Sequence, residues 1–123
     1  MSNIKYNEQQ EAFELPYKLW DNMITVRFYA ESEAEIMQNL STIAGQLETV
    51  NGGKSAIARL IADEGLYNGD DDALKDFLCL ESVYVDIDED EIVVCFTVSS
   101  NDGCMCSVDI ELYDGEFEIT GRN

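Results

Sequence analysis

The sequence predicts an α+β fold of two layers, an antiparallel sheet with a C-terminal four-stranded meander covered on one face by two or three helices. Three observations predict it. Apolar residues between positions 36 and 61 recur at the three-and-four spacing of a helix face. From position 81 the period changes to two, and short turn signals cut that half of the chain into strands. At 123 residues the chain fits one domain spanning 1–123, long enough to bury a single core. A hydrophobic content of 46% places it well outside the composition of disordered chains.

The elements follow in order. Residues 11–30 suggest two strands, because Ile24, Val26 and Phe28 alternate with Thr25, Arg27 and Tyr29, and Asp21-Asn22 reads as the turn between them. Pro16, which cannot donate to a ladder, is expected to end the first strand. Ser32 followed by Glu35 is a capping box, in which each side chain satisfies a backbone N–H that the first helical turn would leave orphaned. A helix follows, with Ile36, Met37, Leu40, Ile43, Ala44, Leu47 and Val50 on one face and Asn51-Gly52 as a left-handed stop. A second helix over residues 55–64 carries Ile57, Leu60 and Ile61 and ends at Gly65, and a short third covers residues 72–78.

The turns of the second half specify a register. A two-residue turn at Glu89-Asp90 pairs Ile87 with Ile92. The loop Asn101-Asp102-Gly103 has Gly where a three-residue hairpin needs a left-handed residue, and it pairs Val98 with Cys106. Asp114-Gly115 places Leu112 opposite Phe117. All three turns agree on one apolar face, formed by Val83, Val85, Ile87, Ile92, Val94, Phe96, Val98, Cys106, Val108, Ile110, Leu112, Phe117 and Ile119.

The charge is the most unusual property of the chain. Seven Lys and Arg against 26 Asp and Glu give a net charge of −19. Residues 1–61 hold five basic and eight acidic groups, whereas residues 62–123 hold two basic and 18 acidic ones. Such a field repels phosphates and anionic membranes and attracts basic proteins, which argues against direct nucleic-acid or membrane binding. No apolar signal core follows Met1, and no stretch approaches the roughly 20 apolar residues of a membrane span, so the expected location is the cytoplasm. In a reducing compartment Cys79, Cys95, Cys104 and Cys106 are expected to be thiols rather than disulfides.

The register also defines the opposite face of the sheet. It places Asp86, Val93, Glu111 and Glu118 in one cross-strand row and Tyr84, Cys95, Asp109 and Thr120 in the next. Like charges directly opposite one another cost a sheet about 0.2 to 1 kcal/mol. The candidate partner-binding residues are therefore Asp86, Asp109, Glu111, Glu116 and Glu118, with Tyr84 and Tyr113 as aromatic anchors and Tyr67 and Trp20 as further aromatics near the acids, Trp20 fitting the core equally well. A solvated face kept acidic for solubility is the plain alternative.

Motifs for other chemistry fail on their spacing. Asp86, Asp88 and Asp90 imitate the first ligands of a calcium loop, but Glu91 stands where Gly is needed and Thr97 where a bidentate Glu is needed. Cys104 and Cys106 flank Met105 and share a strand face, while Cys95 points to the other, which is not a zinc knuckle. Gly52-Gly53-Lys54-Ser55 ends like a phosphate loop but lacks its leading Gly and reads as an interhelix turn. The chain has no His, which removes the His-dependent triads and metal sites. No cofactor, no metal and no catalytic residue is expected.

In the order of its elements over residues 32–121, in the run from Phe77 to Ile87 that leads into the sheet, and in the Asp114-Gly115-Glu116-Phe117 hairpin, the chain resembles two groups. One is the small acidic immunity proteins that bacteria encode beside polymorphic or contact-dependent toxins. The other is an uncharacterised bacterial domain family of the same outline. The first resemblance implies a cytosolic protein that binds one cognate toxin, often a basic nuclease, and masks it. Two other readings stay open: an acidic DNA mimic that inhibits a nucleic-acid-binding protein, and a housekeeping domain that binds a small molecule.

Overall fold

The computed structural model describes residues 4–67, 70–88, 91–101 and 107–122. Among these residues seven strands form one sheet in sequence order: β1 (Lys5–Asn7), β2 (Ala12–Leu19), β3 (Asn22–Tyr29), β4 (Leu78–Asp88), β5 (Glu91–Ser100), β6 (Val108–Tyr113) and β7 (Glu116–Arg122). Among the described residues four helices, α1 (Glu33–Gln38), α2 (Leu40–Gly52), α3 (Lys54–Asp63) and α4 (Asp71–Phe77), intervene between β3 and β4. The α+β class is as expected, but the sheet is mixed, because β3 and β4 pair in parallel with Val26 opposite Val83 and Tyr29 opposite Asp86. Four helices between β3 and β4 make the long crossover that a parallel pair needs. The expectations of a wholly antiparallel sheet and of two or three helices are corrected accordingly.

The β2–β3 turn falls at Trp20-Asp21, one residue before the expected position, with φ of 52° and 64°. Positive φ at both central residues is the two-residue turn whose twist matches that of the strands. Pro16 does not end β2; it sits inside the strand opposite Thr25. The reason is that β1 pairs only with Ala12–Glu14, so beyond Glu14 that side of β2 asks for no amide donor.

Half of the expected capping box forms at the start of α1, and its return bond reaches one residue beyond the N-cap. Ser32 Oγ accepts from the Glu35 N–H at 3.2 Å, and Glu35 Oε1 reaches back to the Glu31 N–H at 3.0 Å. The apolar stripe then continues, but the helix breaks at Asn39, whose side chain donates to the Glu35 carbonyl at 2.8 Å. That bond occupies a carbonyl the helical ladder would use, so one expected helix becomes two. The left-handed stop at Asn51-Gly52 is also absent: Gly52 remains helical and Gly53 has φ −99°. Gly53 is needed for space instead, since a Cβ there would lie 2.7 Å from the Thr49 carbonyl and 2.8 Å from the Phe117 ring. The α3 stop is as expected. Gly65 has φ 71°, its N–H bonds to Ala62 O, and the Leu66 N–H bonds to Ile61 O, the paired closure of a left-handed helix end.

In the C-terminal half, Ile87 pairs with Ile92 and Leu112 with Phe117, as the turns required. Glu89-Asp90 themselves, most of the Asn101-Asp102-Gly103 loop, Cys104 and Cys106 lie outside the described residues. Val98 pairs with Val108, two residues beyond the expected register. A slip of two returns every side chain to its own face, so the apolar face survives it. Val83, Val85, Val94, Phe96, Val98, Val108, Ile110 and Leu112 are buried in one cluster with Ile43, Leu47 and Val50 of α2 and Ile57 and Ile61 of α3. Each such aliphatic side chain contributes roughly 1.5 to 3 kcal/mol by leaving water.

Candidate functional site: the outer face of the sheet

Alternation along β4–β7 that buries Val83, Val85, Val94, Val98, Val108 and Ile110 sends Tyr84, Asp86, Cys95, Asp109, Glu111, Glu116 and Glu118 to the other face. The observed register assembles them in rows that differ from those expected. Tyr84 faces Cys95, Cys95 faces Glu111, and Glu111 faces Glu118, so one row crosses all four strands. Asp86 is opposite Val93 and, through the parallel pairing, beside Tyr29. Asp109 moves to the row of Thr97 and Gly121. The two-residue slip between β5 and β6 moved Asp109 and Glu111; a bulge between Asp109 and Ile110 shifted Asp109 from Thr120 to Gly121.

Each candidate side chain has a distinct setting. Asp86, Glu116 and Glu118 are exposed, while Asp109 and Glu111 are half-buried. Asp109 Oδ1 accepts from Thr97 Oγ1 at 2.7 Å, and a Cβ on Gly121 would sit 3.2 Å from its Oδ2, so Asp109 is held in place. Tyr113 stands across from Glu116 and its hydroxyl donates to Glu91 Oε1 at 3.1 Å. Tyr84 packs edge-on against Tyr29 with ring centroids 5.4 Å apart, and both rings remain 39% exposed. Tyr29 is a component that sequence reasoning missed. Its alternation in residues 24–29 was legible, but only the parallel β3–β4 pairing brings it beside Tyr84 and Asp86. Trp20 and Tyr67, by contrast, are buried and belong to the core.

Between Leu78 and Gly121 the chain has twelve Asp or Glu and no Lys or Arg. The N-terminal strands are mixed in sign: Arg27 pairs with Glu14 at 3.3 Å, and Glu14 also accepts from Asn7. Charge along the sheet therefore runs from mixed at β1–β3 to wholly acidic from Leu78 through Gly121.

The field is felt by its neutral members. Burial, with Glu111, Asp86 and Asp109 adding to it, pushes the Cys95 thiol up, partly opposed by its hydrogen bond with Tyr84. Tyr84 is itself pushed up to about 12, chiefly by that hydrogen bond and then by burial. Tyr17, on the helical side, is also pushed up to about 12, by burial and by its hydrogen bond to Glu48. In both cases the fold favours the neutral phenol, so each contributes stability that is present below the ordinary value of 10.0 and is lost as pH rises toward 12. The melting temperature is expected to fall less steeply between pH 10 and pH 12 in Tyr84→Phe than in the parent. Equal slopes would mean that the Tyr84 hydroxyl is not held by Cys95.

Other chemistry finds less support in the geometry. Cys79 and Cys95 are free thiols, and among the described residues no three Asp, Glu or Cys side chains converge to hold a metal ion. A groove of about 530 Å³ lies on the helical side between α3 and α4, lined by Ser55, Arg59, Asp63, Asp72 and Lys75 among others. It mixes both signs and does not reach the outer face. Gly53 alone separates α2 from α3, and Lys54, the first residue of α3, holds its Nζ over the Trp20 ring at 5.4 Å, so the phosphate-loop likeness has no phosphate cradle behind it. No helix among the described residues is long and apolar enough to cross a membrane. Compared with known proteins, the chain matches no family model, no curated sequence and no solved structure.

Proposed function

We propose that this protein is an acidic, non-catalytic inhibitor that docks the outer face of β4–β7 on a basic protein partner and masks it, the partner being of the kind exemplified by a toxin nuclease. The observation that carries the reading is the row Tyr84, Cys95, Glu111 and Glu118, flanked by Asp86, Asp109 and Glu116, on a stretch of sheet that holds no basic residue through Gly121. A sheet selected for stability alone tends to avoid two carboxylates directly opposite, and a cationic partner offsets the repulsion when bound. The acidic field raises the rate of encounter with a basic surface and competes with the phosphates such a surface would otherwise hold. Tyr29 and Tyr84 supply what charge does not: rigid, half-exposed rings beside Asp86, suited to receive a Lys or Arg over a ring face and against a carboxylate.

The test is affinity capture of the tagged protein from the lysate of its own organism, first at low and then at high salt, with bound proteins identified by mass spectrometry. One basic protein retained stoichiometrically at low salt and released at high salt is the expected outcome. Retention of no specific protein, or retention that is indifferent to salt, would leave the acidic face as a solvated surface.

A further inference from the structure

We propose that the free edge of β7, with the adjoining flank of α3, accepts an extended basic segment of the partner, which joins the sheet as an eighth strand. The proposal rests on the partner being basic and adds how it is held. β7 ends the sheet and pairs only with β6 among the described residues. It runs seven residues without Pro or Lys, whereas the opposite edge strand, β1, has three. A strand of that length leaves alternate N–H and C=O groups facing outward with no ladder partner.

Beside that edge lies a groove of about 440 Å³ whose lining includes Leu60, Glu64, Leu66, Phe117, Glu118 and Ile119. Its four apolar side chains are only half-buried, although Leu66, Phe117 and Ile119 pack against the core. An added strand would turn one set of alternate side chains onto this apolar strip. The other set would emerge beside Glu116 and Glu118 on the outer face. The segment that fits is therefore an alternation of apolar and basic residues. Charge selects it over a second copy of this chain, because two molecules of net charge −19 each repel one another.

The probe is a dye-labelled heptapeptide alternating Lys and Val, compared with the same peptide N-methylated along its backbone, by fluorescence anisotropy in about 0.15 M salt. The two share charge and side chains and differ in backbone donors. The methylated form is expected to bind at least about tenfold more weakly, as the loss of several backbone hydrogen bonds requires. Amide exchange should slow in β7 with the unmethylated form, and Glu64→Lys, an exposed change at a helix C-terminus, should weaken that form alone. Equal binding of the two peptides, no binding, or protection away from β7 would overturn the proposal, as would dimers whose β7 amides are protected without peptide. If Asp86→Asn with Glu111→Gln, neither of which lines the groove, weakens both peptides equally, the outer-face reading stands and the edge falls. Strand addition combined with a captured partner that ignores those replacements would be the reverse.

Discussion

Trp20→Ala is expected to destabilise the fold by roughly 3 to 5 kcal/mol, the usual cost of emptying a large buried aromatic site. Trp20 sits in the β2–β3 turn with φ 52°, a conformation costly for a bulky residue, and three bonds hold it there. Its backbone N–H donates to Asn51 Oδ1 at 2.8 Å, its indole N–H donates to the Val50 carbonyl at 3.0 Å, and its own carbonyl accepts from Asn22 Nδ2 at 3.1 Å. The ring is 9% exposed, so the turn that looks like a surface feature is a clamp between the N-terminal hairpin and the C-terminal end of α2. Trp20→Phe keeps most of the apolar burial and loses only the indole donor. Because the Val50 carbonyl still accepts from the Gly53 N–H, that variant should lose only about 0.5 to 1.5 kcal/mol. Urea unfolding separates the cases, and a loss below about 1 kcal/mol for Trp20→Ala would mean that the hairpin is not anchored through this ring.

The same residue explains why the sequence reading placed this turn one position late. Asp21-Asn22 carries the local preference for positive φ, and Trp20 does not; contacts thirty residues away decide against the preference. Asn39 is a similar case, since the apolar stripe from Ile36 to Val50 is unbroken and nothing in its period reports a side chain that takes a carbonyl from the ladder. Where turn chemistry and alternation act together, as at Asp114-Gly115 with φ of 53° and 78°, the pairing of Leu112 with Phe117 was legible in full.

The outer face was legible by composition and not by arrangement. Alternation assigns Asp86, Asp109, Glu111 and Glu118 to the face opposite the core whatever the register, because only odd slips move side chains between faces. Which of them are neighbours depends on even slips, to which the apolar pattern is blind, and on the parallel β3–β4 pairing, for which strands separated by four helices carry no local signal. Tyr29 entered the site through that pairing, and Cys95 came to face Glu111 through the slip.

Replacing Glu111 and Glu118 together by Gln should separate binding from stability. The two carboxylates are directly opposite, so their removal relieves about 0.2 to 1 kcal/mol of repulsion, and the melting temperature should stay level or rise by a few degrees. Binding to the basic partner retained by affinity capture should weaken by at least about tenfold at low salt, or about 1.4 kcal/mol, and become less sensitive to salt. The fold carries its own reporter of the substitution. Glu111 helps to push the Cys95 thiol up, so Glu111→Gln lowers it and speeds alkylation of Cys95 near pH 8, as read by peptide mass spectrometry. Faster alkylation, preserved stability and weaker binding together identify the row as the docking surface. Faster alkylation and preserved stability with unchanged binding would show the charge removed at no cost to the interaction, and the acidic face would then serve solubility alone. A large loss of stability would mean that Glu111 and Glu118 do not face one another, and that the register of β6 and β7 is wrong.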